Sequence, residues 1–150
     1  MGEFQYHKQE TNYTCGAAAM RMALENCGVK RTENQIVKLL STNKVRGTWI
    51  RSFPPVAERF KLCHVSMRNS SIEEIKHYIK LGYAVIVCYF YPPEKVDHYS
   101  VVKMIDDKYI YFWDPFFGES HRYTLTYFNR IWKSDPRYED EKRWFFAVKR

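Results

Sequence analysis

Residues Gln9 to Leu24 read QETNYTCGAAAMRMAL, and this stretch sets the frame for the rest of the chain. From Gly16 onward the residues are small or straight-chained, which suits an α-helix. Met20, Ala23, Leu24 and Cys27 recur at i, i+3, i+4 and i+7 as one buried face, and Gly28 supplies a C-terminal stop. The predicted helix opens at Cys15. A thiol in a first turn sees the positive end of the helix dipole and unpaired backbone N–H groups, which favour thiolate over thiol. Cys15 is therefore a candidate nucleophile. Gln9 lies six positions earlier, and its side-chain amide with the Cys15 N–H would supply the two donors that a tetrahedral oxyanion requires. The competing reading is a loop glutamine beside a small, inert core cysteine.

A length of 150 residues suits a single domain, 1–150, with a proper core. The composition is 45% hydrophobic and 17% aromatic, with 12 Tyr and 10 Phe, which excludes a disordered chain and favours strands. The longest apolar run, Tyr83 to Tyr91, is too short to span a bilayer, and the N-terminus lacks a charged-then-apolar signal, so a cytoplasmic protein with no membrane partner is expected. Cys15, Cys27, Cys63 and Cys88 form no C-x-x-C pair, which argues against a zinc ribbon or a thioredoxin-type motif. All four are expected to be thiols. The net charge of +7 is spread among acids, as in RYEDEKR near the C-terminus, so no nucleic-acid partner is inferred.

Residues 4–8 are expected to form a short strand leading into the Gln9 loop. Thr32 with Gln35 makes a capping box ahead of Ile36, Val37, Leu39 and Leu40, a short amphipathic helix. Gly47 and Thr48 are read as starting another helical turn that Pro54-Pro55 interrupts before Val56 to Phe60 resumes. Beyond this helical half come a strand at Leu62 to Met67, a helix capped by Ser71 with Glu74, and the run YAVIVCYFY at Tyr83 to Tyr91, which has the look of a central strand covered on both faces. Two strands, Asp97 to Ile105 and Tyr109 to Trp113, follow as a hairpin turning at Asp106-Asp107. Arg122 to Leu125 is expected to pair again, Thr126 to cap a short helix through Trp132, and a strand at Trp144 to Val148 to complete the sheet.

A cysteine nucleophile needs a base and a group that orients it. His98 starts one hairpin strand and Asp114 ends the other, so the turn brings them together. Register decides whether they share a face. A two-residue loop would pair Tyr99 with Asp114 and leave His98 on the opposite face. A three-residue loop, Asp106-Asp107-Lys108, or a bulge, pairs Ser100 with Asp114 and returns His98 to the same side. The longer loop or a bulge is therefore predicted. The other histidines compete poorly as the base: His7 lies in the loop before Gln9, His77 on the solvent side of a helix, His121 after the Gly118 bend with no partner suggested, and Cys63-His64 points to opposite faces of a strand.

The combination QETNYTCGAA, DHYSVV and YFWDPFFG resembles the bacteriocin-processing (double-glycine leader) cysteine peptidase family, which is papain-like, over nearly the whole chain. The resemblance implies an α+β fold in which an N-terminal helical half carrying the cysteine packs on a C-terminal antiparallel sheet carrying histidine and aspartate. It implies Gln9 in the oxyanion hole, Cys15 as nucleophile, His98 as base and Asp114 as its orienting acid. The 150 residues are expected to be that peptidase domain standing alone, without the transporter, and Thr14 stands where the family commonly has an acidic residue. The expected activity is thiol-dependent hydrolysis of a peptide or related amide bond through an acyl-enzyme on Cys15, acting on a peptide or protein substrate with no metal and no cofactor. Acyl transfer to an amine uses the same residues, and a peptide-binding module of the same fold needs none of them to react.

Overall fold

In the computed structural model, which describes residues 3–150, the elements run α1 (Cys15–Asn26), α2 (Glu33–Leu40), a 3-10 turn (Ile50–Ser52), α3 (Phe53–Arg59), β1 (Cys63–Met67) and α4 (Ile72–Lys80). They continue with β2 (Ala84–Tyr91), β3 (Val96–Ile105), β4 (Tyr109–Asp114), β5 (Gly118–Thr124), α5 (Leu125–Ile131) and β6 (Phe145–Lys149). The six strands form one antiparallel sheet in the order β1-β6-β2-β3-β4-β5. The apolar run of β2 is central and buried on both sides, as its composition predicts. Ala84, Ile86 and Cys88 join the core beneath α1, α2 and α3, while Val85, Val87 and Tyr89 join a second core with residues of α4 and α5. The helical half therefore covers only one face, and the later helices close the other.

Local chemistry accounts for most boundaries. Thr32 and Gln35 form the reciprocal capping box of α2, and Ser71 caps α4 by accepting from the Glu74 N–H. Four expectations fail. Residues 3–9 form no strand but an irregular segment held by side chains. Gly47 and Thr48 start no helix: Asn43 and Gly47 bridge across a short turn by two backbone hydrogen bonds. Pro54 and Pro55 do not interrupt α3 but occupy its first turn, where backbone N–H groups have no intrahelical acceptor. The cap of α5 is Thr124, not Thr126, because β5 runs from Gly118 to Thr124 and the Thr124 hydroxyl takes the Tyr127 N–H.

The β3–β4 hairpin carries a predicted irregularity. Ile105 pairs with Ile110, a register that would place His98 and Asp114 on opposite faces if it continued unbroken. A bulge at Lys103 shifts it, so that Val102 faces Phe112 and Val101 faces Trp113. The extra residue restores the parity that brings His98 to the face of Asp114.

Helix α1 is buried almost all round rather than on one stripe, with Gly16 to Met20 and Met22 to Leu24 inaccessible to solvent. A run of alanines allows this because small side chains admit neighbours on every side. The helix ends in a Schellman motif: Gly28 at φ +84° donates to Glu25 O, and Val29 donates to Leu24 O. At the other end Gly16 is fixed by space. A Cβ there would lie 2.5 Å from Thr48 Oγ1 and 3.1 Å from Tyr99 Cδ2. Gly16→Ala is therefore expected to lower unfolding free energy in urea by about 1–3 kcal/mol. Unchanged stability would show that the Thr48 segment is not packed on α1.

Candidate active site

The centre of the site is Asp114, a carboxylate with no solvent exposure at the end of β4. Its Oδ1 accepts from His98 Nε2 at 2.8 Å and from the backbone N–H groups of Phe116 and Phe117 at 2.9 and 2.8 Å. Its Oδ2 accepts from the Tyr89 hydroxyl at 2.7 Å. The two backbone bonds come from the turn that Asp114-Pro115 initiates, a local arrangement typical of Asp before proline. The His98 ring is enclosed by aromatic edges, with Tyr89 at 5.3 Å, Phe117 at 5.8 Å and Phe116 at 6.3 Å between centroids.

Cys15, His98 and Gln9 line one cleft of about 470 Å³. Cys15 is the first residue of α1, where its backbone N–H has no intrahelical acceptor. The Gln9 Nε2 donates to Thr11 O at 2.7 Å, and its Oε1 is buried without a partner among the described residues. The irregular N-terminal segment places Gln9. Phe4 stacks on Trp113 at 3.7 Å, the Tyr6 hydroxyl donates to Asp114 O at 2.6 Å, and His7 pairs with Glu25 of α1. The Gln9 N–H then donates to Pro115 O at 3.0 Å. One segment thus ties the Cys15 helix to the Asp114 turn. Behind the loop, the buried Glu33 carboxylate accepts from the Glu10 N–H at 3.1 and 3.2 Å.

A second wall of the cleft has no counterpart in the sequence reading. Arg46, with a side chain 3% exposed, donates to both oxygens of Asp97 at 3.0 Å and to Glu139 Oε1 at 2.7 Å. Its guanidinium lies between the rings of Trp49 and Tyr138, at 5.2 and 5.1 Å. Asp97 immediately precedes His98, so this pair anchors the start of β3 to the 43–47 turn. His121, for which the sequence suggests no partner, stacks on Phe117 at 4.6 Å. His77 lies on α4 and Cys63-His64 on the edge strand β1, away from the cleft. Among the described residues no group of three or more His, Cys, Asp and Glu is placed to hold a metal ion, and no helix is long and apolar enough to cross a membrane.

The profile of the Peptidase_C39 like family matches residues 1–139. The chain belongs to this family of cysteine peptidases. Comparison of the sequence with curated proteins gives no match. Among solved structures, the peptidase domain of Streptococcus ComA superposes with a TM-score of 0.74 at 19% identity, covering 97% of this chain and 96% of that one. A C39-like peptidase from Bacillus anthracis gives 0.75 at 12% identity, covering 98% and 94%. A double glycine motif protease from an AMS/PCAT transporter, solved in complex with a leader peptide, gives 0.68 at 17% identity, covering 98% and 90%. These likenesses show that the C39-like chain has the papain-like α+β fold.

The electrostatics of the C39-like site follow from burial and pairing. Burial alone would raise the Asp114 pKa, but the His98 charge, the hydrogen bond from that ring and the donors from Phe117 and Tyr89 lower it to about 2. Burial would lower the His98 pKa, but the charges of Asp114 and Cys15 and hydrogen bonds to both raise it to about 10. The pairing with Asp114 thus favours the imidazolium form of the ring. Burial pushes the Cys27 thiol up and the Cys88 thiol well up.

The linkage has a definite sign. A histidine whose folded pKa is raised to about 10 adds stability that is complete below its unfolded value near 6.5 and is lost as pH climbs through 10. Asp114 adds stability that is lost only as pH falls through about 2. The stability gap between wild type and His98→Ala, read by urea unfolding, is thus expected to be widest near pH 6 and to close between pH 7 and about 10. A gap that widens with pH would contradict the pairing.

Proposed function

We propose that the protein hydrolyses a peptide bond through an acyl-enzyme on Cys15, with His98 as base, Asp114 holding that base and Gln9 in the oxyanion hole. The observation that carries this reading is the 2.8 Å bond between His98 Nε2 and Asp114 Oδ1, on a ring that lines the same cleft as Cys15. Asp114 takes one ring nitrogen, which leaves the other for the sulfur. In the resting pair the Cys15 proton already sits on His98, and the thiolate Sγ attacks the carbonyl carbon. The oxyanion accepts from the Cys15 N–H and from the Gln9 Nε2 hydrogen that Thr11 does not engage. His98 then protonates the leaving amine, and the thioester is hydrolysed by a water that gives its proton back to the ring.

The substrate class proposed is a peptide carrying a double-glycine cleavage site. Its support is the C39-like family match and the similar fold of the double glycine motif protease that was solved with a leader peptide. The 150 residues act in this reading as one peptidase unit, and the four free thiols suit a reducing cytoplasm.

The test is cleavage of a double-glycine peptide set, with products identified by mass. Cys15→Ala is expected to abolish cleavage. Gln9→Ala is expected to lower kcat by about a hundredfold to a thousandfold with little change in KM. Retained turnover in Cys15→Ala would refute the nucleophile, and an unchanged kcat in Gln9→Ala would refute the oxyanion role alone.

A further inference from the structure

Tyr89 lies at the seventh position of YAVIVCYFY, a run whose composition explains a buried strand but not a phenol inside it. It has no solvent exposure, and its ring packs against Phe112 at 5.8 Å, Phe128 at 6.4 Å and Tyr123 at 5.4 Å. A phenylalanine would fill such a place. The hydroxyl instead donates to Asp114 Oδ2 at 2.7 Å, and Tyr89 pairs directly across the sheet with His98.

We propose that Tyr89 is a positioning residue: its hydroxyl fixes the rotation of the Asp114 carboxylate that presents Oδ1 to His98. The argument is one of donor supply. Among the described residues Oδ1 has three donors, His98 Nε2 and the N–H groups of Phe116 and Phe117, whereas Oδ2 has only Tyr89. Without that hydroxyl, a buried anionic oxygen faces aromatic carbon with no donor, which is costly. The carboxylate relieves that cost by rotating or by admitting water, and either loosens the bond to His98. This inference rests on the catalytic reading above. The titratable groups facing the pair are Tyr89 from β2, Cys15 from α1, Tyr6 from the N-terminal segment, and His121 and Tyr123 from β5.

The test needs no substrate. The rate of Cys15 alkylation by iodoacetamide is measured by peptide mass mapping from pH 5.5 to 8.5, with exposed Cys63 as the internal reference. Wild type is compared with Tyr89→Phe, His98→Ala, Asp114→Asn and the Tyr89→Phe/Asp114→Asn double variant. Tyr89→Phe is expected to slow Cys15 by about threefold to tenfold, the range of one hydrogen bond's net strength, while leaving Cys63 unchanged. In the Asp114→Asn background it should add nothing, because there is no carboxylate left to orient. A merely structural role would lower the melting temperature without that selective and non-additive effect. If Tyr89→Phe does not fold at the assay temperature, Tyr89→Met repeats the comparison with another apolar filler. Wild-type Cys15 reactivity in Tyr89→Phe, with His98→Ala slowed, would overturn the Tyr89 role alone. Wild-type reactivity in His98→Ala would overturn the catalytic reading and this inference with it.

Discussion

A carboxylate without solvent access is costly unless it is paired and fully hydrogen-bonded, and the fold meets that requirement at Asp114 with four hydrogen bonds from three elements. Strand β3 brings the cation, β2 brings a phenol, and the turn after β4 brings two backbone donors. Each of these is needed for the others. Without the bulge at Lys103 the cation would face away, and without proline-directed turning the backbone donors would be absent. The same bonds that make burial tolerable hold the imidazole in one orientation and one charge state.

The candidate catalytic side chains come from separate elements of the fold. Cys15 heads a helix so closely invested by neighbours that Gly16 has no room for a methyl group. Gln9 precedes it on an irregular segment strapped between α1 and the Asp114 turn by Phe4, Tyr6 and His7. Arg46 joins the 43–47 turn, the start of β3 and the loop carrying Glu139 through a nearly solvent-free cluster. Removing one partner from such a cluster leaves a buried charge, so the walls of the cleft are coupled.

The parts legible in the sequence are those governed by short-range rules. The Cys15 helix, the Thr32–Gln35 capping box and the β2 run all follow from spacing within a few residues. Parity made the hairpin legible too, since His98 and Asp114 share a face only through a longer loop or an extra residue, and the bulge at Lys103 supplies one. What escaped is long-range. Arg46 meets Asp97 and Glu139 at separations of 51 and 93 residues, and Tyr6 reaches Asp114 across 108, with no periodicity to betray either. Residues 4–8 read as a short strand leading into the Gln9 loop, but their backbone pairs with none of the six strands. Tyr89 was legible as core and not as a donor, since composition does not reveal where a buried hydroxyl points.

The central claim is that Asp114 and Cys15 together hold the His98 ring as an imidazolium at neutral pH. Nuclear magnetic resonance of the ring nitrogens, with ¹⁵N-histidine and His98→Gln to assign the signal, reads that state directly. The account predicts that both His98 nitrogens carry protons at pH 7.5 and that the ring titrates far above the ordinary histidine range, toward about 10. A ring that is neutral at pH 7.5 and titrates near or below about 6.5 would contradict it.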